Sequence, residues 1–311
     1  LRKARTGQFD LSTVRVVLDI ESIDSYKIFA LDDPYRIVID VSGEKRDKIE
    51  DVISQTSPPL AAPVVPPSEK TVSKPSLTQQ LALGIKKIVI DPGHGGHDAG
   101  AIGYKGLKEK DVVLDIGKVL RDVLVERLGV EVVMTRDTDV FIPLEERTAI
   151  ANTVGADLFI SVHANASRNK NAGGIETYFL NFAKDEDSMR LAAAENATTT
   201  KNMSDLQAIL NDLMLNSKIN ESSKLARYVQ GSMLDVVNGN GSRAKDRGVR
   251  QAPFYVLIGA QMPSILIETS FITNKEDARR LADQVFQKTI ATAIASGIEK
   301  YSEVVKVASS Q

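Results

Sequence analysis

The sequence predicts an α/β fold: a mostly parallel central sheet flanked by helices, preceded by a small N-terminal β remnant. Three observations carry this. From Ile85 onward, short β-branched runs alternate with stretches of helical period. Gly and Pro punctuate the junctions. The first 45 residues hold short strand-like runs and no helical stripe. A length of 311 residues suggests about two domains at roughly 100–200 residues each.

Composition narrows the class. Hydrophobic residues are 42% and charged ones 26%, which excludes wholesale disorder. A formal charge of −2 argues against a strongly basic nucleic-acid binder. No stretch approaches the ~20 apolar residues of a transmembrane segment. With no cysteine, disulfides and thiolate chemistry are out, and an oxidising compartment is compatible. The absence of Trp and the 5% of aromatics weigh against a sugar-stacking lectin face. The chain opens on Leu1 without a signal peptide, as a trimmed or mature chain would.

Residues 13–20, 26–31 and 35–41 read as strands. This unit, 1–45, is thin for independent stability, so part of it is expected to be missing. Residues 46–84 form a linker. Pro58, Pro59, Pro63, Pro66, Pro67 and Pro75 lie among Ser, Thr, Val and Lys, with no apolar period to support a core. From 85 to 305 a second domain follows. Strands are expected at 86–91, 131–134, 157–162, 174–180, 254–258 and 264–267. Helices are expected at 109–128, 143–154, 187–197, 203–237 and 275–301.

Two of the three histidines leave apolar strands. His94 lies in Asp91-Pro92-Gly93-His94-Gly95-Gly96-His97, and His163 in Ser161-Val162-His163-Ala164-Asn165. Both therefore fall at carboxyl ends of strands, where α/β sheets bind ligands. Two imidazoles and no thiolate suit zinc with a carboxylate as the third ligand. Glu109 is the best candidate, at the start of the helix after the loop Gly100–Gly106; alone it would read as a solvated residue. Glu268 closes the run Ser264-Ile265-Leu266-Ile267, and burial there would raise its pKa toward that of a general base. The alternative for Glu268 is a carboxylate serving the helix near 275. Such a zinc ion lowers the pKa of water from 15.7 toward ~7, which makes hydrolysis of an amide the natural chemistry.

The segments 90–96, 161–165 and 267–274 (Ile267-Glu268-Thr269-Ser270-Phe271-Ile272-Thr273-Asn274) resemble the signatures of the Amidase_3 family, zinc N-acetylmuramoyl-L-alanine amidases, over about 85–303. The resemblance implies that His94, Glu109 and His163 bind Zn2+ and that Glu268 is catalytic. It also implies peptidoglycan as substrate, cleaved between N-acetylmuramic acid and L-alanine, and a periplasmic location. Residues 13–19 and 31–40 resemble the end of an AMIN domain, a β module that targets division amidases to the envelope.

A helical insertion at about 184–220 resembles that of the regulated cell-division amidases, in which a helix covers the zinc cleft until an activator protein displaces it. Glu195 is the residue of this segment expected to reach the metal. The apolar positions Leu206, Ile209, Leu210, Leu213, Met214 and Leu215 offer the activator a surface. The bland reading is that Glu195 is exposed and the apolar positions pack on the core. The basic cluster Arg243, Lys245, Arg247 and Arg250 reads as a solvated loop, with contact to stem-peptide carboxylates as the alternative. Rival functions are a non-catalytic peptidoglycan-binding scaffold and a zinc peptidase acting on stem peptides.

Overall fold

A computed structural model of the chain describes residues 3–8, 14–19, 25–31, 36–42, 81, 84–197, 217–239 and 244–308. The chain divides into two compact units, Leu1–Lys74 and Pro75–Gln311. In the first, β1 (Lys3–Gln8) pairs antiparallel with β2 (Val14–Asp19), and β3 (Ser25–Leu31) with β4 (Arg36–Ser42). β1 was not foreseen, because Lys-Ala-Arg-Thr-Gly-Gln has no apolar alternation of its own. The expected linker falls outside the described residues apart from its last few. Of these, Leu81 is only 2% exposed and packs in the core with Ile85, because an apolar side chain next to the domain is better buried there than left in water.

The second unit is built on a six-stranded sheet. Its strands are β5 (Lys87–Pro92), β6 (Glu131–Met134), β7 (Leu158–Asn165), β8 (Ile175–Leu180), β9 (Asp246–Ala252) and β10 (Ser264–Phe271). The spatial order is β6-β5-β7-β10-β8-β9, and every neighbouring pair is parallel except β10 with β8. The helices are α1 (Glu109–Leu128), α2 (Leu144–Thr153), α3 (Glu186–Glu195), α4 (Ser217–Gly239), α5 (Lys275–Leu281) and α6 (Gln284–Ala308).

Period-two alternation sorts the strand side chains between two cores. Ile88, Ile90, Ile160, Val162, Ile265 and Ile267 face α1, α4 and α6. Val89, Phe159, Tyr178 and Leu266 face α2, α3 and the turn Tyr255–Leu257. His163, Glu268 and Glu176 stand one residue from Val162, Ile267 and Ile175, so they project from the second face.

Three elements differ from expectation. Residues 254–258 form a 3-10 turn, not a strand, because Phe254, Val256 and Leu257 all bury together instead of alternating. The last strand before it is β9, whose charged sequence Asp-Arg-Gly-Val-Arg-Gln-Ala hides its edge position. The expected helix 275–301 is two helices, α5 and α6, with α5 capped by Asn274, which accepts from the backbone N–H of Glu276 and Asp277. Residues 198–216, which include the apolar positions of the insertion, lie outside the described residues, as does Arg243.

Candidate metal centre

The loop after β5 is shaped to bring His94 inward. His94 has φ 58°, a left-handed conformation uncommon for a side-chain-bearing residue and often retained where function requires it. A Cβ at Gly93 would lie 2.3 Å from His163 Cε1, so only glycine lets the loop pass the second histidine. At Gly100, φ is +63° and a Cβ would sit 2.6 Å from His94 Cδ2.

Glu109 is the first residue of α1, where the helix dipole favours an anion. Its backbone N–H bonds Ala101 O at 3.0 Å. Its carboxylate accepts from Ala101 N (Oε2, 2.9 Å) and Ala164 N (Oε1, 2.9 Å), which fixes both oxygens. His163 comes from β7 and Glu195 from the last residue of α3.

These four side chains converge. One ligand atom from each of His94, Glu109, His163 and Glu195 lies within 4.8 Å of the others. His94 Nε2 is 3.2 Å from Glu109 Oε2 and 3.3 Å from Glu195 Oε2. His163 Nδ1 is 3.1 Å from Glu109 Oε1 and 3.1 Å from Glu195 Oε2. The two imidazole rings meet edge to face with centroids 4.9 Å apart. Asp98 lies 2.8 Å from His94 Nδ1, which leaves Nε2 turned to the cluster. His94 Nε2 and Glu195 Oε2 are buried without a hydrogen bond. Facing lone pairs of this kind require protons or a cation between them, so the donor set fits a metal ion: two imidazole nitrogens and carboxylate oxygens, without thiolate.

The charges respond accordingly. Burial opposes ionisation of Glu109, yet His94 and His163 hold its carboxyl below the usual range. Burial also opposes the His163 imidazolium, but Glu195 and Glu109 lift it to about 10. His94 is raised too, against its burial, by Glu109, Asp98 and Glu195. Asp98 falls to about 2 through its hydrogen bond with His94.

Glu268 sits beside this cluster. In register it faces His163 on β7 and Glu176 on β8. It is fully buried, and neither carboxylate oxygen has a hydrogen-bond partner among the described residues. Burial pushes its pKa well above the usual carboxylate value, with Glu195, Glu109 and Glu176 adding to the rise and His163 opposing it. β10 continues through Phe271, so Glu268 lies within the strand, and the cap of the following helix is Asn274. His97 stands apart, exposed and packed on Phe141.

Sequence reasoning missed the supporting residues. Arg147 on α2 pairs with Asp91 at 2.9 Å and donates to Pro92 O and His94 O, each at 2.9 Å. Arg136 donates to Pro92 O (3.0 Å), Gly93 O (2.7 Å) and Lys110 O (2.9 Å). Thr135 and Ser161 hydroxyls complete Asp91. The signal available was weak: an arginine on the inward face of a helical stripe and another at the end of β6. Glu176 was also missed. It is 1% exposed and accepts from Asn165 (2.6 Å), Tyr178 (3.0 Å) and Arg250 (3.0 Å). The solvated-loop reading holds for Lys245, which is exposed before β9, but not for Arg247 and Arg250, which belong to β9 and turn toward Glu176, whose buried charge draws them in.

The fold and this cluster define an α/β protein with a candidate metal centre at the carboxyl edge of a mostly parallel sheet. Residues 88–300 match Amidase_3, N-acetylmuramoyl-L-alanine amidase, and the chain belongs to that family. It is 32% identical over 328 aligned positions to N-acetylmuramoyl-L-alanine amidase AmiC of Escherichia coli O6:H1, covering 97% of this chain and 74% of that protein. It is 38% identical over 229 positions to AmiA of Escherichia coli K12, covering 70% of this chain and 76% of that one. Among solved structures, AmiC2 of Nostoc punctiforme superimposes with a TM-score of 0.53 at 38% identity, over 70% of this chain and 96% of that one. The CwlD amidase of Clostridioides difficile, solved in complex with the GerS lipoprotein, gives 0.53 at 27% identity over 70% and 99%.

Proposed function

We propose that this protein is a zinc-dependent peptidoglycan amidase that hydrolyses the amide bond between N-acetylmuramic acid and L-alanine. It acts in the periplasm, in cell-wall remodelling and daughter-cell separation. The observation that carries this reading is the convergence of His94, Glu109 and His163, from three separate elements, beside a buried carboxylate with no hydrogen bond of its own, Glu268. Family membership supports it, and the named activity of AmiA and AmiC is the same reaction. Among the described residues no helix is long and apolar enough to cross a membrane.

His94, Glu109 and His163 hold the ion. When bound, zinc supplies Lewis acidity, which acidifies water and polarises a carbonyl. Glu268 does the proton work. Its free oxygens accept a proton from the attacking water, whose oxygen bonds to the carbonyl carbon. As the carbon–nitrogen bond breaks, Glu268 passes that proton to the departing nitrogen, leaving a carboxyl on the lactyl group and a free amine on L-alanine. Burial makes Glu268 basic enough to take the proton.

Autoinhibition by α3 is the second part of the proposal. Glu195 lines the same cleft as His94, with Oε2 facing both histidines. Both ends of α3 are pinned. Asp185 caps its start and pairs with Arg250. At the other end, Asn196 donates to Pro253 O at 2.9 Å and accepts from Tyr255 N at 2.7 Å. Leu191, Ala192 and Ala193 bury between. An activator protein that docks on the insertion would release this helix. The related CwlD amidase was solved in complex with a lipoprotein, so a protein partner has a parallel among its relatives.

The test is mass spectrometry of products from purified peptidoglycan. The proposal expects intact stem peptides with a free L-alanine amine, and faster release by Glu195→Ala than by the unaltered chain. Shortened peptides would indicate a peptidase, and binding without any cleavage in either protein would indicate a scaffold. Equal rates for the two proteins would refute the brake.

A further inference from the structure

Arg247 carries a guanidinium that has no hydrogen-bond acceptor among the described residues. It lies on β9 with its side chain 19% exposed, yet it makes no hydrogen bond to any described residue, and its Nε is buried and unsatisfied. Its ion-pair partner among the described residues is Glu176, with Nε 3.3 Å from Oε1. Glu176 is already served by Asn165, Tyr178 and Arg250. Arg250 is shared with Asp185, so Arg247 completes the charge balance of this group while its hydrogen-bond donors stay unused. A half-buried guanidinium whose donors go unused is costly unless something else accepts from them.

The backbone aims this side chain deliberately. Ile175 pairs with Asp246 and Thr177 with Val249, so Glu176 alone on β8 opposes both Arg247 and Gly248 on β9. This is a bulge, with Gly248 at φ +81°, and bulges beside active sites re-aim side chains. The Arg247 guanidinium then lies over the Phe271 ring, 4.9 Å from its centroid, which fixes its plane. It lines a cleft of about 790 Å³ that also contains His94 and Glu195. Lys245 and Arg168 line the same cleft without an ion-pair partner among the described residues, whereas the carboxylates lining it, Asp98, Glu176, Asp187 and Glu195, each face a His or Arg partner.

Register gives the spacing. His163, Glu268 and Glu176 lie in one row across β7, β10 and β8, and Arg247 extends that row on β9. Two strand spacings separate the backbones of Glu268 and Arg247, roughly 10 Å. An extended peptide covers that distance in about three residues. Resting on the amidase reading above, we infer that Arg247 is a specificity-determining residue. It anchors a free carboxylate that the substrate's peptide carries two to three residues beyond the scissile amide.

The test uses two synthetic muramoyl tripeptides, one with the carboxyls of its second and third residues free, the other with both as carboxamides. Kinetic constants are measured with the wild type, Arg247→Gln and Arg247→Lys, and Kd by calorimetry on the metal-free proteins, where nothing turns over. All arms are run in the full chain, with and without Glu195→Ala to remove occlusion. The wild type should prefer the carboxylate probe in both KM and Kd by roughly tenfold to a hundredfold, as a charge-assisted bond allows. Arg247→Gln should erase the preference with kcat changed by less than about threefold, and Arg247→Lys should keep part of it. The inference falls if the wild type shows no preference, if Arg247→Gln keeps it, or if Arg247→Gln weakens both probes alike. A Kd preference lost in Arg247→Gln, with neither probe hydrolysed, would sink the amidase reading and leave the anchor standing. Hydrolysis of both probes without preference would do the reverse.

Discussion

Removing the Arg147 side chain as Arg147→Met tests how the site is held. Arg147 and Asp91 are 2% and 0% exposed and 2.9 Å apart, so neither has water to fall back on. Breaking such a pair leaves a buried carboxylate uncompensated, at about 3–5 kcal/mol. The Thr135 and Ser161 hydroxyls remain on Asp91 and favour the lower end of that range. The variant also frees the carbonyl of His94 and leaves Pro92 O to Arg136 alone, so the His94 loop should loosen. For a domain of this size, the midpoint of thermal unfolding should fall by roughly 6–20 °C. Asp91 is held below the usual carboxylate range against its burial, with Arg147 the largest stabilising charge. Without Arg147, burial should win and the carboxyl should protonate more readily, so the penalty should shrink on acidification. Adding Asp91→Asn should recover part of the loss by removing the stranded charge. Urea unfolding of the two single variants and the double variant measures all of this. A loss below about 1 kcal/mol, or one that Asp91→Asn does not reduce, would refute the reasoning.

The same geometry sets other expectations. Glu268→Gln should cut peptidoglycan hydrolysis by roughly 10²–10⁴-fold while leaving metal content unchanged; activity within a few-fold of wild type would remove Glu268 from the chemistry. Gly93→Ala should weaken metal binding, since the new methyl would press on His163; unchanged affinity by competition titration would show that the loop has room. Metal uptake should release protons, because His163 titrates near 10 without metal and binds metal only as the neutral ring. Affinity should therefore fall with decreasing pH, and calorimetry in buffers of different ionisation enthalpy would expose a pH-independent uptake if the claim is wrong. In the metal-free protein, the stabilisation from His163 is complete below about 6.5, its ordinary value, and is lost as the pH rises through about 10. Thermal unfolding of chelator-treated protein should show that decline, and the metal-loaded protein should not.

The sequence made the α/β order legible because buried strands such as Ile88-Val89-Ile90 and Ile265-Leu266-Ile267 are apolar on both faces, and Pro92-Gly93 marks the exit of the first. His94 and His163 were readable as strand-end histidines for the same reason. The apolar stripe of α1 placed Glu109 at that helix's start, but its contacts depend on a loop that sequence spacing leaves free. Edge elements were harder. β1 and β9 are strands through pairing with a neighbour, and neither carries its own apolar pattern. Arg136, Arg147 and Glu176 were invisible because a charged residue in sequence looks solvated until a tertiary partner removes it from water. Arg250 is the clearest case: the charges that gave it the look of a loop residue are what draw it to Glu176 and Asp185.

The central claim is that His94, Glu109 and His163 hold one zinc ion. Elemental analysis of the purified chain, paired with anomalous diffraction at the zinc edge, tests it most directly. One equivalent of zinc should be found, with its anomalous peak among these three side chains, and His163→Ala should abolish both signals. A chain free of stoichiometric metal, or an ion that persists after His163→Ala, would contradict the account.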